Sequence, residues 1–78
     1  MLNQTLQWHT PHRYYIAVIK RDLLGDTVVH RMWGALYSRR GGQKVDVFGT
    51  DEEAAQRHLE KLSRVRSKRG YVLKKVEH

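Results

Sequence analysis

The stretch RYYIAVIKRDLLGDTVVHRMWGALY, Arg13–Tyr37, decides the fold. Arg13–Arg21 is rich in β-branched and aromatic residues and has no breaker, which predicts a strand. Asp22-Leu23-Leu24-Gly25-Asp26 ends it, with turn chemistry in Gly25 and Asp26. Thr27–Tyr37 predicts a second strand, joined to the first as an antiparallel hairpin. Its alternation separates two faces. Val28, His30, Met32, Gly34 and Leu36 form the set better suited to lie under a helix. Val29, Arg31, Trp33, Ala35 and Tyr37 form a cationic and aromatic set expected to meet solvent or a ligand.

Moving outward, Ser38–Gln43 reads SRRGGQ. The Gly41-Gly42 pair is expected to reverse the chain with positive φ. Lys44–Phe48 then predicts a third, short strand. Thr50-Asp51-Glu52-Glu53 fits a capping box, with Thr50 as the N-cap. Ala54, Ala55, His58, Leu59, Leu62 and Val65 recur at helical spacing and mark the buried stripe. Gly70 suits the position just after the helix, and Tyr71–Val76 predicts the last strand. Residues 1–12 read as an N-terminal arm or short edge strand around Leu6 and Trp8, with residues 13–78 as the domain proper. The expected class is α+β: a small antiparallel sheet of four to five strands with one helix packed on one face, in β-β-β-α-β order.

Composition narrows the function classes. The chain has 78 residues, 15 Lys plus Arg against 8 Asp plus Glu, a net charge of +7 and 40% hydrophobic residues. One small domain fits this length, and the charge makes a polyanion the first partner to consider. Cys is absent, which excludes a disulfide framework and a thiolate zinc site. The longest apolar run, Tyr14–Ile19, is far short of a membrane span. MLNQTLQW shows no signal-peptide pattern, so a cytoplasmic location is expected. His9, His12, His30, His58 and His78 form no metal-ligand spacing. No nucleophile elbow or P-loop occurs. A non-enzymatic chain without metal, cofactor or membrane partner is therefore expected.

The basic residues are unevenly placed. Between Lys61 and Lys75 lie Lys61, Arg64, Arg66, Lys68, Arg69, Lys74 and Lys75, with no acid among them. On the helix Arg57, Lys61, Arg64 and Lys68 stack on one side. A solvated helix face is the bland alternative, since Glu53 and Glu60 stand four residues before Arg57 and Arg64. Arg39 and Arg40 flank a glycine turn whose backbone N–H groups could hold a phosphate. Arg31 and Trp33 share a strand face, where a cation beside an indole suits a nucleotide. The predicted nucleic-acid-binding set is Arg31, Trp33, Arg39, Arg40, Lys44, Arg57, Lys61, Arg64, Lys68 and Arg69.

Several of these features together resemble the WGR domain, named for a Trp-Gly-Arg motif. They are the Tyr14-Tyr15 opening strand, the DLLGD turn, Arg31-Met32-Trp33-Gly34, the glycine-rich turn, the DEEAA helix start and the basic helix end closing in Gly70-Tyr71. The likeness covers about residues 13–76 and is greatest to small bacterial single-domain members. Such domains also occur in poly(ADP-ribose) polymerases, near DNA strand ends. The resemblance therefore implies DNA, rather than RNA, as partner, held through backbone and strand-end contacts, with Trp33 against sugar-phosphate. It does not imply ADP-ribosylation, because 78 residues leave no room for a catalytic domain. Ala35 stands where the motif has Arg, which leaves Arg31, Arg39 or Arg40 to supply that charge. The alternative function is a protein-interaction module that docks a protein partner on an exposed Trp33 face, with the charge serving solubility.

Overall fold

The computed structural model describes residues 3–77; Leu2 and His78 lie outside the described residues. Its elements are β1 (Gln4–His9), β2 (Arg13–Arg21), β3 (Thr27–Ala35), β4 (Gly41–Val47), α1 (Glu52–Lys68) and β5 (Val72–Glu77). All five strands form one antiparallel sheet in the order β4-β3-β2-β1-β5. The expected α+β architecture is present, with one strand more at the N-terminus.

That strand is not an arm and not an edge. β1 is hydrogen-bonded to β2 on one side and to β5 on the other. Leu6 and Trp8 are the reason: both are buried, with Trp8 only 1% exposed. A buried indole and leucine in alternation hold the segment in the sheet more firmly than the Pro11 break weakens it.

The hairpin between β2 and β3 forms as its sequence predicts. Asp22 Oδ1 accepts from the backbone N–H groups of Leu24 and Asp26, each at 2.9 Å, and Gly25 takes φ +86°. The Gly41-Gly42 pair behaves differently. Neither glycine has positive φ, and both lie in β4, paired with Gly34 and Trp33. The reversal instead occupies residues 36–40. These two positions need glycine for space. A Cβ on Gly41 would stand 2.4 Å from the Trp33 carbonyl oxygen, and one on Gly42 would stand 3.0 Å from the indole.

α1 packs across one face of the sheet, and the core lies between them. Leu6, Trp8, Tyr15, Ala17, Ile19 and Val29 from the sheet cluster with Ala55, Leu59 and Leu62 from the helix. The covered face of β3 is thus the Val29, Arg31, Trp33 set, the reverse of the expected assignment. His30 instead faces away and bonds Gln43 across the strands at 2.8 Å. Three adjacent strands decide the matter together. Trp8 pairs with Tyr15, and Tyr15 with Trp33, so the aromatic residues of β1, β2 and β3 lie on one side.

The helix begins one residue later than the capping box suggests. Asp51 is the N-cap, and its Oδ1 accepts from the Ala54 N–H at 2.9 Å. Thr50 is held in a turn closed by the Asp51 N–H on the Phe48 carbonyl, with Gly49 at φ +60°. Asp51→Ala is therefore expected to cost about 0.5–2 kcal/mol, against a few tenths for Thr50→Ala. Urea unfolding of both variants checks this.

At the other end Gly70 takes φ +85°. Its N–H bonds the Ser67 carbonyl, and the Tyr71 N–H bonds the Arg66 carbonyl at 3.0 Å. This paired arrangement satisfies the last helical carbonyls. It also sets Tyr71 beside Arg66, which matters for the site below.

Candidate nucleic-acid interface

A cavity of about 580 Å³ opens where the C-terminal end of α1 meets the β2–β3–β4 end of the sheet. β2 contributes Arg13 and Tyr15, and β3 contributes Arg31, Trp33, Gly34 and Ala35. Arg40 and Gly41 come from the turn and the start of β4, and Arg66 and Tyr71 from the helix end. Four guanidinium groups and three aromatic rings thus share a wall with no carboxylate.

The rings form a ladder set by strand register. Tyr15 and Trp33 stand directly across from each other and stack, with centroids 6.1 Å apart and planes 16° from parallel. Tyr71 meets Tyr15 edge-on at 6.3 Å. Arg66 lies between the tyrosines, its Cζ 4.3 Å from the Tyr15 ring and 5.2 Å from the Tyr71 ring. That spacing is a cation–π contact. Arg66 Nε is buried and has no hydrogen-bond partner.

Arg31 has a different role. Its Nε lies 2.8 Å from Asp46 Oδ2, and its Nη1 donates a long bond to the Tyr15 hydroxyl at 3.4 Å. Burial alone would lower the Arg31 pKa. The Tyr15 hydroxyl and the Asp46 carboxylate more than offset this and raise it. Asp46 also meets His58 Nε2 at 3.0 Å, which ties β4 and β3 to the helix. Arg31 is therefore neutralised and held in place, and it adds little net charge to the cavity. Asp46 is the carboxylate that does this.

The predicted binding residues separate into groups. Arg31, Trp33 and Arg40 line the cavity. Arg39 lies around the turn, on an adjoining hollow of about 470 Å³ that shares Trp33 and Arg40. Lys44 lies 3.9 Å from Asp46, and Arg57 lies 3.9 Å from Glu53. Lys61, Arg64, Lys68 and Arg69 are exposed on the helix, outside the cavity lining, and have no carboxylate within 4 Å among the described residues. Trp33 is half-buried, and Val29, expected beside it on an exposed face, is 0% exposed. α1 covers the Val29 end of that face and leaves the Trp33 end open as the cavity.

Arg13, Tyr15, Arg66 and Tyr71 were not expected in the site. Two of them had a signal. Arg66 continues the spacing of Ala55, Leu59 and Leu62, so it is the one cation in line with the buried stripe. Arg13 continues the alternation of Tyr15, Ala17 and Ile19.

Residues 1–77 match the model of the WGR domain family. The chain belongs to the WGR domain family. Comparison with curated proteins and with solved structures gives no match. The WGR domain is a binding module, not a catalytic one, and in polymerase-like proteins it commonly binds nucleic acid. The family triplet reads Trp33-Gly34-Ala35 here. Gly34 has a local steric reason: a Cβ there would stand 2.8 Å from the Tyr14 ring and from the Arg40 carbonyl oxygen. Among the described residues no helix is long and apolar enough to cross a membrane, and no group of three or more His, Asp or Glu is placed to hold a metal ion.

Proposed function

We propose that this WGR domain binds DNA through the sugar-phosphate backbone, with a strand end seated in the cavity beside Trp33. One observation carries this reading. Arg13, Arg40 and Arg66 surround the Tyr15, Trp33 and Tyr71 rings, and among the described residues no carboxylate lies within 4 Å of them. Arginine meets phosphate through a forked, charge-assisted pair of hydrogen bonds. Aromatic walls offer a surface to a sugar or an unstacked base. A volume of about 580 Å³ suits a ligand of small-molecule size. That volume is closer to one nucleotide than to a base-paired helix, which favours a strand end over an uninterrupted duplex. The exposed Lys61, Arg64, Lys68 and Arg69 extend the positive surface for the adjoining backbone.

Fluorescence anisotropy with an open-ended duplex, a single strand and a closed dumbbell tests the reading. The open-ended duplex is expected to bind most tightly at low salt, and the dumbbell more weakly. Flat titrations for all three at 25 mM salt remove nucleic-acid binding. Equal affinity for the duplex and the dumbbell removes end recognition alone.

A second reading, the protein-interaction module, has support on the opposite face of the sheet. Val45 and Val47 lie there, 49% and 61% exposed. Flat DNA titrations together with a stable protein complex lost in Val45→Glu would favour it.

A further inference from the structure

We infer that Arg13 is a ligand-binding residue of the cavity and holds the positive charge that Ala35 cannot, moved one strand across the sheet. This rests on the nucleic-acid reading above. Arg13 and Ala35 are register partners across β2 and β3, so their side chains leave the same face side by side. Both line the cavity. Arg13 is exposed and has no carboxylate within 4 Å among the described residues.

The other candidates for this charge differ in kind. Arg31 is neutralised by Asp46 at 2.8 Å. Arg39 lies on the adjoining hollow, not on the cavity wall. Arg40 lines the cavity too and flanks residue 35 from the opposite side, its carbonyl accepting from the Ala35 N–H at 2.9 Å, but it belongs to the turn and not to the β2–β3 pair. Arg13 is the arginine that the β2–β3 register sets directly across from residue 35.

The small side chain at 35 is part of the arrangement. Directly opposed side chains on one face have Cβ atoms about 4.5–5.5 Å apart, and like charges so placed repel. Ala35 leaves Arg13 free to reach over its own strand partner into the cavity. An arginine at either position supplies the cation, and arginines at both compete.

Four variants and an open-ended duplex test this by anisotropy. Arg13→Gln is expected to weaken binding about tenfold or more, the loss of one charged hydrogen-bond donor. Its salt slope should fall by about 0.9, as for one phosphate contact. Lys20→Gln removes the same charge from the other face of the same strand and is expected to change affinity less than threefold. Ala35→Arg in the Arg13→Gln background should restore most of the lost affinity. In the wild-type background it should add far less than it restores. Circular dichroism confirms that each variant keeps the fold. Arg13→Gln binding as tightly as the wild-type chain overturns the inference and leaves the DNA reading standing. Failure of Ala35→Arg to restore binding, or equal gains in both backgrounds, overturns the interchange. A flat wild-type titration overturns the DNA reading and this inference with it.

Discussion

Affinity for an open-ended DNA duplex is expected to fall by roughly 150- to 500-fold between 50 and 200 mM salt. The estimate follows from counterion release. Each neutralised phosphate contributes a slope of about −0.9 in log affinity against log salt, and four to five phosphates then give about that ratio. The cavity cations Arg13, Arg40 and Arg66, which have no carboxylate within 4 Å among the described residues, supply the first contacts. One or two of Lys61, Arg64, Lys68 and Arg69, all exposed, supply the rest. Arg31 is left out because Asp46 neutralises it, and Lys44, Arg57 and Lys75 because each has a carboxylate within 4 Å that competes with a phosphate. Anisotropy across a salt series measures the slope. A slope shallower than about −2 would mean that hydrophobic or base contacts, not backbone neutralisation, hold the ligand.

Leu59→Ala is expected to destabilise the fold by about 2–5 kcal/mol, the range for emptying a buried leucine site. Leu59 is 1% exposed and sits in the middle of the buried stripe of α1. Among the described residues that helix is the only layer over the covered sheet face, so no neighbouring element can close the gap. A chain of 78 residues is expected to have only about 4–12 kcal/mol of stability in all. The variant should therefore lose a large share of its folded population near 37 °C. Trp8, 1% exposed and edge-on to Tyr15 at 5.8 Å, reports this through its emission during urea unfolding. A loss below 1 kcal/mol would mean that the helix buries a different stripe. Binding should fail together with the fold, because Arg66 and Tyr71 depend on the same helix end.

Much of the architecture was legible because it is written in local chemistry. Gly25 and Gly70 both take the left-handed backbone that their positions suggest. Asp22 closes its turn onto Leu24 and Asp26, two and four residues on. Ala55, Leu59 and Leu62 lie buried at the spacing that marked them. Each of these outcomes depends on a few neighbouring residues. Gly41 and Gly42 were less legible. Their need for space comes from Trp33 on the next strand, eight and nine residues away in sequence.

The candidate site divides along the same line. Trp33 and Arg40 reach the cavity, while Lys44 and Arg57 turn to nearby acids. A count of charges cannot separate free cations from paired ones. Asp46 shows why: it neutralises Arg31 from an adjacent strand, fifteen residues on, and also meets His58 on the helix.

The order of elements, the single helix with its buried stripe, the excess of positive charge and the family resemblance follow from the chain's residues alone. Only tertiary structure decided which face of β3 lies under the helix, and with it which arginines share a cavity. Alternation along a strand separates two sets of side chains but gives neither a preference for the core. Val28, His30 and Met32 are nearly as apolar as Val29, Arg31 and Trp33. Leu6 and Trp8 on one neighbouring strand, and Tyr15, Ala17 and Ile19 on the next, settle that balance through cross-strand register, an interaction no single segment contains.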